Sequence, residues 1–393
     1  MRNNSSAELL TRRVEKILPT KEGLAKLLRK KKIRLYQGFD PTGARLHLGH
    51  SIGLRKLMEF ANLGHEVIFL FGTGTVLVGD PSQRSSARKF VGEEEIEKNI
   101  KNWKRQASPL VDFTKVHIKR NGDWLTKLTL RELITIASNI SAVQLFKREM
   151  FQRRISRGDT VWYHETTYPL LQGYDSVVMD VDLEIGGTDQ EFNMLIGREL
   201  QRKMKNREKY VLTIPMIMGT DGKQMSKTTG NCVWLDDTAH DMFGKIMSMP
   251  DENIIPYMTL VTSMPLLQIE QIDSGLKQKS INPKDAKEML GLEIVKDFHG
   301  NAAAKIAAAE FTKVFSKKQQ PTKIQKISLR EKELSLVDLV VKAKLATSKS
   351  EARRLIAQGG VKISGVVQRN PQALITPTKG MVLQAGKRRF VKF

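Results

Sequence analysis

Residues 35–64 read LYQGFDPTGARLHLGHSIGLRKLMEFANLG. Leu35–Phe39 reads as a strand, and Asp40, Pro41, Thr42 and Gly43 make a turn signal. A helix follows from about Leu48 to Leu63, with Gly64 as its stop. His47 and His50 are three apart, so they share one face of the first turn. A helix N-terminus offers unpaired N–H groups and partial positive charge, which suits phosphate. Gly49 lacks a side chain, so a ring or sugar can lie on the backbone there. This sketches a nucleotide site. His-x-x-His at a helix start also serves as a capping and packing feature. Zinc is disfavoured, because it needs three or four ligands and no third lies nearby in sequence.

His65–Phe71 (HEVIFLF) is short and nearly all apolar, as for a strand buried on both faces of a parallel sheet. Strand, helix, strand is a βαβ unit, so the fold class is α/β. GTGTVLVGDPSQR (72–84) then places Asp80 in a loop beyond a buried strand, where open α/β sheets carry their sites. It lacks the Gly-Lys-Ser/Thr end of a phosphate-binding P-loop. Glu93–Gln106 reads as a surface helix, Val111–Ile118 as a strand and Asn121–Trp124 as a turn. Leu130–Ile155 is broadly helical and interrupts the βαβ rhythm. It reads as part of an insertion at about 112–160 whose apolar side is a candidate dimer surface.

In ETTYPLLQGYDSVVMDV (165–181), Tyr168, Gln172 and Asp175 fall at i, i+4, i+7. On a helix they form one hydrogen-bonding stripe amid Leu170, Leu171 and Val177, which fits the wall of a polar pocket better than an open surface. Val178–Leu183 reads as a strand running into Gly186-Gly187-Thr188-Asp189-Gln190, where Thr188 or Asp189 can cap the next helix. Val211–Met216 is another short apolar segment. The loop GTDGKQMSKTTGN (219–231) carries Lys223 and Lys227, ammonium groups able to close on developing charge.

The formal net charge of +23 favours a polyanionic partner, most simply nucleic acid. A single cysteine, Cys232, rules out an intramolecular disulfide and fits a reducing compartment. No run of eighteen apolar residues predicts a membrane span, and the N-terminus lacks a secretory h-region, so a cytoplasmic location is expected. Residues 236–315 read as helices and 316–330 as a basic linker. Residues 338–393 hold 12 Lys plus Arg against 2 Asp plus Glu. They show a capping box at Ser348–Glu351, a helix ending at Gly359-Gly360, and a hairpin across Ser364-Gly365. Lys349, Arg353 and Arg354 lie together on that helix, a basic patch suited to a phosphate backbone.

With these residues in view, the whole chain resembles the bacterial-type tyrosyl-tRNA synthetases of class I that end in an S4-like RNA-binding domain. His47-Leu48-Gly49-His50 matches the HIGH signature. Gln224-Met225-Ser226-Lys227-Thr228 matches KMSKS with glutamine for the first lysine and threonine for the last serine, and Lys223 stands adjacent. The resemblance implies a Rossmann-like catalytic domain over 1–235, a helical anticodon-binding region with linker over 236–330, and a small α+β S4-like domain over 331–393. It implies that Tyr36 and Asp175 bind the tyrosine hydroxyl and that Asp80, Tyr168 and Gln172 hold its ammonium. Thr42, His47, His50, Arg84 and Lys227 then act on the triphosphate, with Asp40, Gly49, Asp189 and Gln190 around the adenylate. ATP is a substrate, with Mg²⁺ held mainly by its phosphates. Expected partners are L-tyrosine, tRNA(Tyr) and a second copy in a homodimer. The alternatives are a tryptophan-tRNA ligase, or a non-catalytic binder of structured RNA on the same scaffold.

Overall fold

Six strands, β1 (Lys16–Leu18), β2 (Arg34–Phe39), β3 (Glu66–Phe71), β4 (Val116–Arg120), β5 (Leu183–Gly187) and β6 (Tyr210–Ile214), form one sheet in the order β1-β6-β5-β2-β3-β4. All neighbours are parallel except β1, which pairs antiparallel with β6 at the edge. Among the five parallel strands the order is that of a Rossmann-like sheet. Its topological switch point lies between β2 and β5, where such sheets bind ligands. The computed structural model describes residues 8–81, 92–225, 230–316, 324–329, 333–386 and 389–393. They fall into two units, divided between Lys305 and Ile306.

The two faces of β2 have different jobs. Gln37 faces helix α1 (Leu48–Asn62), and a Cβ at Gly53 of that helix would overlap the Gln37 amide. Glycine there lets the helix settle on the sheet. Tyr36 faces the other way, in register with Ile68 on β3 and Glu184 on β5. With Ile68, Leu70, Met179 and Val181 it forms a buried cluster against which Trp124 packs. Burying each large apolar side chain contributes about 1.5–3 kcal/mol. Helices α3 (Tyr168–Met179) and α4 (Glu191–Lys205) meet at Gly173 and Gly197, where a Cβ on Gly173 would lie 3.0 Å from the Gly197 backbone nitrogen.

Several sequence expectations shift. Residues 1–32 read as one or two helices, but within them Lys16–Leu18 pairs as β1, because three residues suffice to complete an edge ladder with β6. Val178 and Met179 continue α3, which stops where Asp180 turns left-handed (φ 53°), so the strand begins only at Leu183. Asn121–Trp124 is not a plain turn, since Gly122–Leu125 forms one turn of helix. Val111–Ile118 yields a strand only from Val116. Leu130–Ile155 divides into helices Leu130–Ala137, Ala142–Phe146 and Glu149–Ser156, the first capped by Thr129. After the 219–231 loop the first unit is helical, through Ala239–Met247, Ile254–Val261 and Leu266–Lys277 to a longer helix starting at Pro283 and broken at Gly300 (φ 82°).

The second unit packs helices Leu336–Lys342 and Lys349–Ala357 on a five-stranded sheet. Leu336, Leu339, Val340, Ala352, Ile356, Val361, Leu383 and Val391 fill its core. Gln325–Lys326, inside the stretch read as linker, adds a strand parallel to Arg389–Lys392. The capping box is altered. Ser348 accepts from the Glu351 N–H at 3.1 Å, but the Glu351 carboxylate bonds the Thr347 N–H and hydroxyl, each at 2.7 Å. Those bonds, helped by Arg389, hold the Glu351 carboxyl down at about 2.

One buried histidine makes stability depend on pH. His65 Nδ1 accepts the Ile33 N–H at 3.2 Å, and burial beside Lys32 lowers its pKa from 6.5 to about 4. Between those values the unfolded chain binds a proton that the folded chain refuses. Stability from this group is therefore complete above pH 6.5 and declines as pH falls towards 4, by at most about 1.4 kcal/mol per pH unit. Urea denaturation at pH 7, 6 and 5 should show this decline, and His65→Phe should flatten it.

Candidate active site

The segment between β2 and α1 is held from one side. In helix α2 (Glu93–Ala107), Asn99, Trp103 and Gln106 fall at i, i+4, i+7 and all are buried. Asn99 donates to the Pro41 carbonyl at 3.0 Å, Trp103 Nε1 to Gly43 O at 2.6 Å, and Gln106 to Ala44 O at 2.8 Å while accepting from the Leu46 N–H at 2.8 Å. A helix that reads as a surface element is thus a clamp on residues 41–46. The polar spacing that marks α3 as a pocket wall was present here too.

The clamp sets the start of α1. His47 is the N-cap residue, and its N–H donates to His50 Nδ1 at 3.1 Å. The two rings stand 3.9 Å apart, with Trp234 against His47 and Trp103 against His50. Both histidines are half-buried, so the pair packs and caps while keeping an open side. A Cβ on Gly49 would lie 3.0 Å from the His47 ring. Glycine is therefore needed for the imidazole itself to lie over the helix start.

From Asp40, at the end of β2, a chain of polar contacts runs into the sheet. Tyr168 Oη donates to Asp40 Oδ2 at 2.9 Å, and Thr75 Oγ1 donates to Asp40 Oδ1 at 2.7 Å. Asn121 bonds Thr75 Oγ1 at 3.1 Å and Asp175 Oδ2 at 3.0 Å, while Trp124 Nε1 bonds Asp175 Oδ1 at 2.9 Å. Asp175 is fully buried. Burial pushes its carboxyl well above the usual carboxylate range, against the pull of the Asn121 and Trp124 donors. Tyr36 and Tyr168 are likewise pushed up, by burial and then by the carboxylates around them.

A second chain of contacts lies beside the first. Gln172 donates to Glu184 at 3.1 Å and accepts from Asn193 at 3.0 Å; Asn193 also bonds Gln190 at 2.9 Å, and Gln190 donates to Asp80 at 2.6 Å. Arg148 is buried over the Phe192 ring and reaches Asp80 at 3.8 Å. Neither Thr188 nor Asp189 caps α4; a turn of 3-10 helix at Thr188–Gln190 leads into it.

The α/β unit therefore brings together Tyr36, Asp40, Asp80, Tyr168, Gln172, Asp175, Asp189 and Gln190. The pairing of Tyr36 with Asp175 is less direct than expected. The Tyr36 hydroxyl bonds Ser176 Oγ at 2.9 Å, and Asp175 acts on it only through its charge. Thr42 lies half-buried in the clamped segment. Arg84 and Lys227 lie outside the described residues. Lys223 is exposed, its backbone tied by its N–H to Asp221 at 3.0 Å. In the second unit Arg353 and Arg354 are exposed, and Lys349 is spent on Asp338 at 2.8 Å. Thr75, Asn121, Trp124, Ser176 and Glu184 had no sequence signal, because their roles depend on which strands become neighbours.

A family described as "tRNA synthetases class I (W and Y)" matches residues 28–316, and one described as "Tyrosine--tRNA ligase SYY-like C-terminal domain" matches 316–392. A tyrosine–tRNA ligase of Thermotoga maritima is 40% identical over 393 residues, covering 100% of this chain and 98% of that one. This chain belongs to the bacterial-type class I tyrosyl-tRNA synthetases. A Moorella thermoacetica tyrosine–tRNA ligase is also 40% identical, over 98% of this chain and 94% of its own. In fold the synthetase is similar to a C-terminally truncated Aspergillus nidulans mitochondrial tyrosyl-tRNA synthetase (TM-score 0.67, 20% identity, 80% of this chain and 95% of that). It is also similar to the Archaeoglobus fulgidus enzyme complexed with L-tyrosine (TM-score 0.62, 20% identity, 78% and 98%). The synthetase is an ATP-dependent ligase that joins tyrosine to tRNA. Among the described residues, no helix is long and apolar enough to cross a membrane.

Proposed function

We propose that residues on and beside these two polar chains bind tyrosine by its two polar ends. Tyr36 and Asp175 take its hydroxyl; Asp80, Tyr168 and Gln172 take its ammonium. The observation that carries this is the direction of the existing hydrogen bonds. Tyr168 spends its proton on Asp40 and keeps oxygen lone pairs, and Gln172 Oε1, which accepts from Asn193, keeps a second lone pair. With the Asp80 carboxylate they supply three acceptors, which the three donors of an ammonium match. Asp175 is an acceptor beside the Tyr36 hydroxyl, and phenylalanine has no hydroxyl for either to bond. Tyrosyl-tRNA synthetases are themselves the known instance of such rejection, at about 10⁵ against phenylalanine.

In the first step a tyrosine carboxylate oxygen bonds the α-phosphorus of ATP, and the bond to the bridging oxygen breaks as pyrophosphate leaves. The nucleophile is already ionised, so alignment and charge stabilisation suffice. His47, His50 and Thr42 are assigned to the triphosphate, with Arg84 and Lys227 on the leaving pyrophosphate. Asp40, Gly49, Asp189 and Gln190 are assigned to the adenylate. In the second step a ribose hydroxyl of the terminal adenosine attacks the tyrosyl carbonyl and AMP leaves. Mg²⁺ is assigned to the phosphates of ATP rather than to a protein cage. ATP–pyrophosphate exchange with tyrosine, tryptophan and phenylalanine tests the assignment. Exchange with tyrosine alone is expected, and exchange with tryptophan would overturn it.

We also assign residues 236–330 to the anticodon side and the basic 331–393 unit to the tRNA backbone. A second copy is assigned to the insertion, where Leu130, Ile134, Val143 and Ile155 are at least half exposed. Cys232, buried and the single cysteine of the chain, fits a cytoplasmic setting. Replacing Arg353 and Arg354 by alanine should weaken tRNA binding and make the slope of log K against log salt shallower by roughly 1–2, read by filter binding.

A further inference from the structure

Lys209 is a buried cation behind the Tyr36 hydroxyl that the reaction above leaves without a role. It precedes β6 and its side chain is fully buried. Its ammonium bonds Glu184 and donates to Ser176 Oγ at 2.8 Å. Ser176 Oγ in turn stands 2.9 Å from Tyr36 Oη and 3.4 Å from Glu184 Oε2. Room for the ammonium is made by Gly197, where a Cβ would come within 2.6 Å of Lys209 Nζ and 2.9 Å of Ser176 Oγ. The lysine is therefore built in rather than accommodated by chance.

An ammonium only donates, so Ser176 must accept from Lys209. Ser176 has one proton to give: its contact to Glu184 Oε2 at 3.4 Å is long for a hydroxyl donor, whereas Tyr36 Oη at 2.9 Å, where either oxygen can donate, is within range. Receiving that proton, the Tyr36 oxygen has its own hydrogen left to point elsewhere. We propose that Lys209, through Ser176, orients the Tyr36 hydroxyl as a donor towards the substrate hydroxyl, making Lys209 and Ser176 positioning residues for tyrosine specificity. The relay then runs Lys209 to Ser176 to Tyr36 to substrate oxygen, and the substrate proton goes to Asp175. No bond other than hydrogen bonds changes. Glu184 balances the lysine charge, so the relay is neutral overall.

This inference rests on the assignment of Tyr36 to the substrate hydroxyl, and the test separates the two. Exchange kinetics with tyrosine and with phenylalanine are measured on the full chain for Tyr36→Phe, Ser176→Ala and Lys209→Met/Glu184→Gln, with circular dichroism to confirm folding. The double variant removes the ammonium without stranding a buried carboxylate. Ser176→Ala is expected to lower kcat/KM for tyrosine about tenfold and leave that for phenylalanine unchanged; the double variant, whose Glu184→Gln change also touches Gln172, is expected to lower the tyrosine-to-phenylalanine ratio about tenfold whatever its effect on phenylalanine. A merely structural role would lower both substrates together and leave the ratio unmoved, which overturns the relay. If Tyr36→Phe itself leaves the ratio unmoved, the hydroxyl assignment fails instead. If Tyr36→Phe lowers the ratio while Ser176→Ala and the double variant do not, the assignment stands and the relay falls.

Discussion

Asp175→Asn is expected to lower kcat/KM for tyrosine in ATP–pyrophosphate exchange by roughly 10²–10³-fold, or about 3–4 kcal/mol, with a far smaller change for phenylalanine. Two losses add. A charge-assisted hydrogen bond to the substrate hydroxyl is worth about 1.5–3 kcal/mol. The carboxylate also accepts from Asn121 and Trp124, one on each oxygen. An amide at 175 must turn its NH₂ towards one of those donors, which misplaces the remaining oxygen and leaves a buried N–H unmet, at about 1–3 kcal/mol. Stability should change little. Burial raises the Asp175 carboxyl, so its charge opposes folding above the unfolded pKa, and removing that charge offsets the lost acceptor. Equal loss for tyrosine and phenylalanine would show that Asp175 only supports the fold.

Lys209→Met should lower stability by about 3–5 kcal/mol, because it leaves Glu184 ionised in the interior without its cation. Replacing both partners, as in Lys209→Met/Glu184→Gln, should recover most of that loss, since a buried pair is close to neutral against uncharged groups of similar size. Urea denaturation of the two variants beside the parent chain checks this. A single variant as stable as the parent would mean that Glu184 is reached by water.

Much of the candidate site was legible in residue spacing. Tyr168, Gln172 and Asp175 are three points on one helical stripe, and a helix repeats every 3.6 residues wherever it sits. Asp80 stood in a loop after a buried strand, and such loops cluster at one edge of a parallel sheet. Other features were misread because the deciding contact is distant. Asn99, Trp103 and Gln106 have the same stripe, but only the 41–46 segment lying against them shows that they hold it. Val178 and Met179 are as apolar in a helix as in a strand. The left-handed turn at Asp180, followed by the Asp182 backbone bonding Arg34, decides where β5 begins.

Local order in the chain, its turns, caps and periodicities, settled the βαβ class, the start of α1 with His47 and His50, and the basic C-terminal hairpin-and-helix unit. These depend on neighbours a few residues apart, so reading along the chain suffices. Strand order did not follow from local pattern. Placing β2 between β3 and β5 sets Tyr36 opposite Glu184, brings Ser176 and Lys209 behind it, and aims Asn121 and Trp124 at Asp175. Hydrogen-bond direction depends on which donors are packed against which acceptors, and only the folded sheet brings those partners within 3 Å.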